Sequence, residues 1–455
     1  MSGRVVIIGG GISGVSAAYY LARAGVPSTL VERQSRLGGV IQTELVDGCL
    51  IEAGPDSFLA AKPWALDLIR ELGLEGDVIG SNDHLRVTYV VKRGRLVPLP
   101  DGLMMMVPTR VLPVLLSPLV SWKTKVRMGL EWFRKPAVRP GGDRSVAEFI
   151  TSHYGQEAVD YLAEPLLAGV YGGDPERLSV SSVLARFLEL EARYGSLTRG
   201  VLAGRGRAQK SSTEPVQLFQ TLKGGLSQLV RAAVAAAATR LQIIQGNAEA
   251  LEPSWRVRVN GCWIEATNVI LAVPAYEAGA LVSSFAPELG SVLSQVEYSS
   301  SLTIALGYER RAVDHPLSGF GFLVPKKERR KLVACTWVGT KFSHRVPENR
   351  AVLRCFVGGP GHAAVVETDS ELVAAAQAEL RDLMGIEAKP LFARVSRWPR
   401  SMAQYTVGHQ ARMERVHALA AHWPGLFLVG NAYTGIGIPD CIRMGKAAAE
   451  AIARR

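Results

Sequence analysis

Gly9, Gly11 and Gly14 follow the apolar run Val5–Ile8 at the spacing G-x-G-x-x-G, and Glu32 closes the next apolar run, STLVE. Those residue types in that order suit a dinucleotide. Gly9 permits a tight turn, Gly11 lets the backbone approach a pyrophosphate at a helix N-terminus, and Gly14 lets helix and strand pack closely. Gly10, Ile12 and Ser13 complete the loop. The Glu32 carboxylate can accept from both ribose hydroxyls and disfavours a 2′-phosphate. The elements needed to hold these groups are legible beside them: a small-residue helix from Ile12 to Ala24, stopped by Gly25, and a strand over 29–31.

A second glycine pair, Gly38-Gly39, follows the acid, then Val40 and the segment IEAGPDSF with Gly54, Pro55, Asp56 and Ser57. A longer nucleotide needs more backbone contacts, so this pattern points to FAD rather than NAD. The chain end, GLFLVGNAYTGIGIPDCIRMGKAAAEAIA, reads as a buried strand, a glycine-rich turn and a small-residue helix aimed at a phosphate or at the flavin. The fold class is therefore α/β, with a Rossmann-like FAD-binding domain assembled from the first, middle and last parts of the chain.

The remaining composition narrows the class further. The chain has 455 residues, 48% of them hydrophobic, which suits two or three domains. Five scattered cysteines, with neither CxxC nor metal spacing, suit a reducing, cytoplasmic setting. No stretch reaches the ~20 apolar residues of a spanning helix. The net charge of +11 is concentrated in residues 104–139 and 192–213, the first also rich in Met, Leu, Val and Trp. That mixture suits peripheral contact with an anionic membrane, such as the inner face of the cell membrane. No basic motif interleaved with aromatics points to nucleic acid.

Along the chain, residues 62–80 read as a helix ending near Gly73, and 86–99 as a hairpin turning on Arg93-Gly94. Residues 102–200 read as mainly helical, and 200–214 as a mobile basic loop. An alanine-rich helix follows Gly225. Next come a strand at Leu241–Gln245, a hairpin turning on Asn260-Gly261 and a strand over 268–273. Residues 300–395 alternate short strands with turns around a helix near 369–384, a mixed sheet.

With these segments assembled, the chain resembles the oxygen-dependent protoporphyrinogen and coproporphyrinogen oxidases of haem synthesis. The matching pieces are AGPDSF, LAGVYGGDPERLS, TLKGGL, GFGFLVP, ACTWVGTKFSHRVP and GNAYTGIGIPDCI. The resemblance implies FAD parts at 1–80, 215–275 and 396–455. It implies a mixed-sheet substrate domain at 81–101 and 276–395, and a helical membrane-contacting domain at 102–214. It carries FAD contacts onto Gly9 to Gly14, Glu32, Arg33, Gly38, Gly39, Val40, Gly54 to Ser57, Ala248, Trp398, Ile436, Gly437 and Ile438. It carries tetrapyrrole contacts onto Gly169, Phe320 and Leu323.

Two departures stand out. Met104 occupies the place of an arginine that holds a propionate in the plant and animal enzymes, and Lys62 matches a lysine near the cavity mouth in the bacterial branch. Ala403 replaces a proline. The reaction implied is FAD-dependent aromatisation of a porphyrinogen with O₂ as final acceptor and hydrogen peroxide as product. Coproporphyrinogen III is favoured over protoporphyrinogen IX. No acid–base pair is assigned as catalytic. An amine oxidase or carotenoid desaturase on the same fold, and a non-redox escort protein, are the rivals. LAGVYGGD argues against the first two, and an intact glycine fingerprint against the third.

Overall fold

The computed structural model of the chain describes residues 4–136, 142–208, 217–358 and 367–454. A five-stranded sheet runs in the order Leu241–Gln245, Ser28–Glu32, Val5–Ile8, Asn268–Leu271, Leu426–Leu428. All its pairings are parallel. Val5, Val6 and Ile7 are fully buried, as expected of a strand covered on both faces. The helix Ile12–Arg23 packs between Ser227–Ala237 and Ile438–Ala453, so the first, middle and last parts of the chain meet on one face. The hairpin Arg256–Val259/Cys262–Glu265 turns on Asn260 and Gly261, both at positive φ, and Ala248–Glu252 adds a third strand to it.

The second sheet has seven strands, in the order Phe392–Ala403, Tyr298–Glu309, Arg350–Gly358, Leu332–Trp337, Gly321–Leu323, Thr88–Lys92, Arg95–Pro98. The hairpin near residue 90 thus pairs, in parallel, with Gly321–Leu323 and extends the sheet. The first strand in that order runs on to Ala403, past the junction expected at 395. The helix Asp369–Met384 lies where its periodicity places it. It begins with a Thr368–Glu371 capping box and ends at Gly385 in the left-handed region. Its Leu372, Ala376, Leu380 and Met384, four residues apart, are buried.

Helices dominate 111–136 and 142–208, gathered round a separate apolar core that includes Phe149, Tyr154 and Leu167. His153 is enclosed there, with Nδ1 2.9 Å from Glu131 and Nε2 3.1 Å from Glu191. Three details differ from expectation. A small hairpin, Leu103–Met104 with Val107–Pro108, precedes the helices. Within the stretch expected to be mainly helical, a π turn at Val159–Ala163 precedes the helix Glu164–Tyr171. Residues expected as a loop after 200 belong to the helix Leu197–Ala208, while 209–214 lie outside the described residues. Glu131 explains that helix. Its carboxylate accepts from Leu197 N at 2.6 Å and from Ser196 Oγ at 2.8 Å, capping the N-terminus from inside the core. The cap and packing outweigh a cost of about 1 kcal/mol per interior glycine.

The helix expected to end near Gly73 runs over Trp64–Glu71, with Gly73 at positive φ just beyond it. The residues after it differ from expectation: Val78–Gly80 pairs as a strand with Phe219–Leu222.

Candidate active site

The strand-to-helix turn at Gly9 is shaped by the fold itself. A Cβ on Gly14 would lie 2.0 Å from the Gly9 carbonyl oxygen, and one on Gly9 would lie 2.5 Å from the Ala272 oxygen. Gly11 differs: a Cβ there would meet nothing within 4 Å, and its φ of −68° suits any residue. Protein packing does not require this glycine, and the space beside it belongs to a cavity. The helix it opens has no side-chain cap and no acid in its first turn, so its N–H groups and dipole favour an anion there. Glu32 Oε2 accepts from Gly10 N at 2.7 Å and Oε1 from Gln34 N at 2.8 Å, holding the carboxylate at the strand end. This cradle fits a nucleotide pyrophosphate and ribose.

One cavity of about 2630 Å³ extends from this cradle. It exceeds a typical ligand pocket of about 300–1,000 Å³, so it has room for two ligands. Gly9, Gly11, Ile12, Ser13, Glu32 and Arg33 line one arm, with Ala248 near Glu32. Gly10 and Gly14 sit behind this lining rather than in it. Gly38 donates to the Gly10 carbonyl at 2.7 Å, which brings the second glycine pair against the first. Gly39, Val40 and Gly54 to Ser57 continue the wall, and Ile436, Gly437 and Ile438 face it at the start of the last helix. Arg33 lines the cavity while pairing with Glu277 at 2.8 Å.

Trp398 also lines the cavity, on the long strand of the mixed sheet. Its Nε1–H donates to Ala53 O at 2.9 Å, and the Thr303 hydroxyl donates to the same oxygen at 2.7 Å. The segment before Gly54 is thus tied to that sheet.

Beneath the segment lies a charged group that sequence reading did not single out. Lys341 holds both oxygens of Asp56, and Arg354 donates to the Gly54 carbonyl. Arg345 donates to Asp56 O at 2.8 Å and to Thr221 Oγ1 at 2.7 Å. Burial alone would raise the Asp56 carboxyl; Lys341, Arg354 and Arg345 outweigh it and hold the group well below the usual carboxylate range. Lys341 and Arg345 stand inside the quoted ACTWVGTKFSHRVP, but nothing in their spacing shows that they converge on Asp56.

Gly169, Phe320 and Leu323 line the other arm. A Cβ on Gly169 would lie 3.7 Å from Leu323 Cδ2, so the helix Glu164–Tyr171 and the strand Gly321–Leu323 face each other there. Phe320 N donates to Val87 O at 2.8 Å, which anchors the start of that strand to the hairpin. Two positions singled out in the sequence gain detail here. Met104 packs against the helical core and is not part of the cavity wall; Leu103 and Met105 line it instead. Lys62 lines the cavity as expected, but its ammonium is already 2.5 Å from Asp440 Oδ2. Arg86 and Arg329 line the cavity with no ion-pair partner among the described residues. Around Arg329 the neighbouring bases are matched: Lys326 to Asp174, Lys327 to Asp160, Arg330 to Asp382 and Lys331 to Glu367.

A nucleotide cradle opening into an apolar chamber beneath a mixed sheet defines a flavin-dependent oxidoreductase. The chain belongs to the flavin containing amine oxidoreductase family, whose model matches residues 12–453, and its cofactor is FAD.

Within that family it is similar to coproporphyrinogen III oxidase of Bacillus subtilis, at 35% identity over 98% of this chain and 97% of that one. It is also similar to coproporphyrinogen III oxidase of Staphylococcus aureus, at 30% identity over 99% of both chains. A solved structure from Exiguobacterium sp. 255-15, provisionally described as a protoporphyrinogen oxidase, superposes with a TM-score of 0.89. Its identity is 31%, covering 100% of this chain and 99% of that one.

Proposed function

We propose that this protein oxidises a porphyrinogen to the corresponding porphyrin in haem biosynthesis, removing six electrons in three steps, with coproporphyrinogen III the preferred substrate. The observation that carries the reading is one cavity lined both by the nucleotide cradle and by Gly169, Phe320 and Leu323. A flat, largely apolar macrocycle is recognised by such faces. FAD held there would supply hydride acceptance from a bridging carbon, with O₂ as final electron acceptor and hydrogen peroxide as product. The protein's own part is placement. Glu32 and the backbone about Gly11 hold the dinucleotide, Trp398 and the 54–57 segment wall its far end, and Gly169, Phe320 and Leu323 wall the macrocycle.

Arg86 and Arg329 support the choice of a four-carboxylate substrate. Arg86 adjoins Val87, which anchors Phe320, and Arg329 closes the turn after Leu323. Two unmatched guanidiniums therefore flank the strand that carries both apolar contacts. Lys62 is a weaker third contact, because Asp440 already matches its charge.

The division of labour proposed is FAD binding by 1–80, 215–275 and 396–455, and substrate binding by 81–101 and 276–395. Membrane contact falls to 102–214. Trp122, Phe133, Leu116 and Leu130 are each more than 60% exposed there, among Arg110, Lys123 and Arg127. No helix among the described residues is long and apolar enough to cross a membrane. Parallel turnover of coproporphyrinogen III and protoporphyrinogen IX, followed by porphyrin fluorescence, tests the reading. Faster turnover of the former is expected, and equal or faster turnover of the latter would assign the protein to protoporphyrinogen IX.

A further inference from the structure

The substrate arm contains one acid with no assigned task. Glu164 begins the helix that carries Gly169, and both line the cavity. Its Oε2 accepts from Lys326 N at 3.0 Å, while Oε1 has no partner among the described residues. Lys326 does not neutralise it, because that ammonium lies 3.2 Å from Asp174 Oδ2. The charged groups around Glu164 are Asp174 beyond its own helix, Lys326 on the turn after Leu323, and Asp160 on the π turn, paired with Lys327 at 3.1 Å.

We propose that Glu164 is the general base of the reaction proposed above, receiving the substrate N–H proton on Oε1. In each step a bridging C–H bond breaks and its electron pair leaves with hydrogen as hydride, which a flavin held in the site would accept. In two of the three steps a pyrrole N–H bond breaks, its pair enters the new conjugated C=N bond, and the proton makes the carboxylate a carboxyl; in the third the proton leaves the last bridging CH2, whose C–H pair completes the conjugation. The proton then passes to solvent on the side of Asp174, whose side chain is 19% exposed. The inference rests on the porphyrinogen reading.

The surroundings suit that task. Burial, opposed by the Lys326 N–H and reinforced by the Asp174 charge, raises the Glu164 carboxyl to about 7. A base poised near the working pH both accepts and releases protons readily.

The test follows flavin reduction in the holoenzyme, mixed anaerobically with coproporphyrinogen III from about pH 5 to about pH 9. The rate should rise with pH through a midpoint near that of Glu164 and then level off. Glu164→Gln should lower the plateau about 10²-fold and remove the pH limb, and Glu164→Asp should restore part of both. Asp174→Asn removes a like charge and should move the limb to lower pH. Thermal unfolding gives a readout without turnover. A carboxyl raised in the folded state contributes stability below its ordinary value near 4.5, lost as pH rises through about 7. Glu164→Gln should therefore gain Tm over the wild type as pH increases across that window.

A flat wild-type profile, or Glu164→Gln keeping the limb and a rate within about threefold, overturns the assignment. The wild-type and Asp174→Asn profiles decide the matter even if Glu164→Gln does not fold. Failure of both porphyrinogens to reduce the flavin overturns the reaction itself and the role of Glu164 with it. A Tm gain in that case would report only the ionisation.

Discussion

The Lys341 ammonium lies 3.0 and 2.8 Å from the two oxygens of Asp56, joining the mixed sheet to the wall of the FAD arm. Asp56 is depressed in the folded state, so its contribution to stability is present above its ordinary value near 3.8 and is lost as pH falls below it. Removing one partner of a buried pair costs about 3–5 kcal/mol, and Arg345 and Arg354 remain here, so the lower end is expected for Lys341→Met. Urea unfolding at neutral pH should show that loss. The difference from wild type should shrink as Asp56 is protonated. A neutral-pH loss under about 1 kcal/mol would mean that the pair behaves as an exposed one.

The glycines of the fingerprint should separate by substitution. Gly11→Ala adds a Cβ that meets no protein atom within 4 Å, so stability should change by less than about 0.5 kcal/mol while flavin content falls sharply. Gly14→Ala drives a Cβ to 2.0 Å from the Gly9 oxygen and should destabilise by about 1–3 kcal/mol. Flavin-to-protein absorbance ratio and Tm, read together, check both. A fully flavinated Gly11→Ala protein would contradict the pyrophosphate assignment.

Substrate carboxylates should be read by the unmatched guanidiniums. A hydrogen bond to a charged group contributes about 1.5–3 kcal/mol, so Arg86→Gln and Arg329→Gln should each raise KM for coproporphyrinogen III roughly tenfold or more. The kcat should change little, because such contacts bind ground and transition states alike. Protoporphyrinogen IX, with fewer carboxylates, should respond less. Lys62→Ala should raise either KM less than about threefold, given its pairing with Asp440. A larger, coproporphyrinogen-specific effect would return the main role to Lys62.

Much of this arrangement is legible in the residues themselves. The order strand, G-x-G-x-x-G, helix, strand, acid is local, and hydrophobic period alone distinguishes its parts. The hairpins turning on Arg93-Gly94 and Asn260-Gly261 follow from the few residues that accept positive φ. What escaped depends on distant partners. The 197–208 helix owes its start to a glutamate some 65 residues earlier. The Asp56–Lys341 pair spans 285 residues. The availability of Arg86 and Arg329 is visible only once every neighbouring base has been matched to its acid. Met104 matches the position of a propionate-holding arginine, and only the structure shows that the short strand it occupies packs it against the helical core.

The proposed membrane attachment should be only partly electrostatic. The basic residues in the helical region are joined by Val111, Leu112, Leu116, Trp122, Leu130 and Phe133, all strongly exposed. Salt shortens the Debye length from ~10 Å at 0.1 M to ~3 Å at 1 M and weakens the charge term, but apolar insertion persists. Co-sedimentation with anionic vesicles should therefore fall over that range without vanishing. Trp122→Glu with Phe133→Glu should abolish the salt-resistant part. Loss of all binding at high salt in the wild type would leave the apolar face without this role.

In the proposed reaction one cavity brings FAD and a porphyrinogen together. Anaerobic mixing of the purified flavoprotein with coproporphyrinogen III tests it most directly. The flavin bands should bleach at a rate that saturates with substrate, and air should then restore them as porphyrin fluorescence appears, with protoporphyrinogen IX acting more slowly. Flavin bands that remain unchanged with both porphyrinogens would contradict the account.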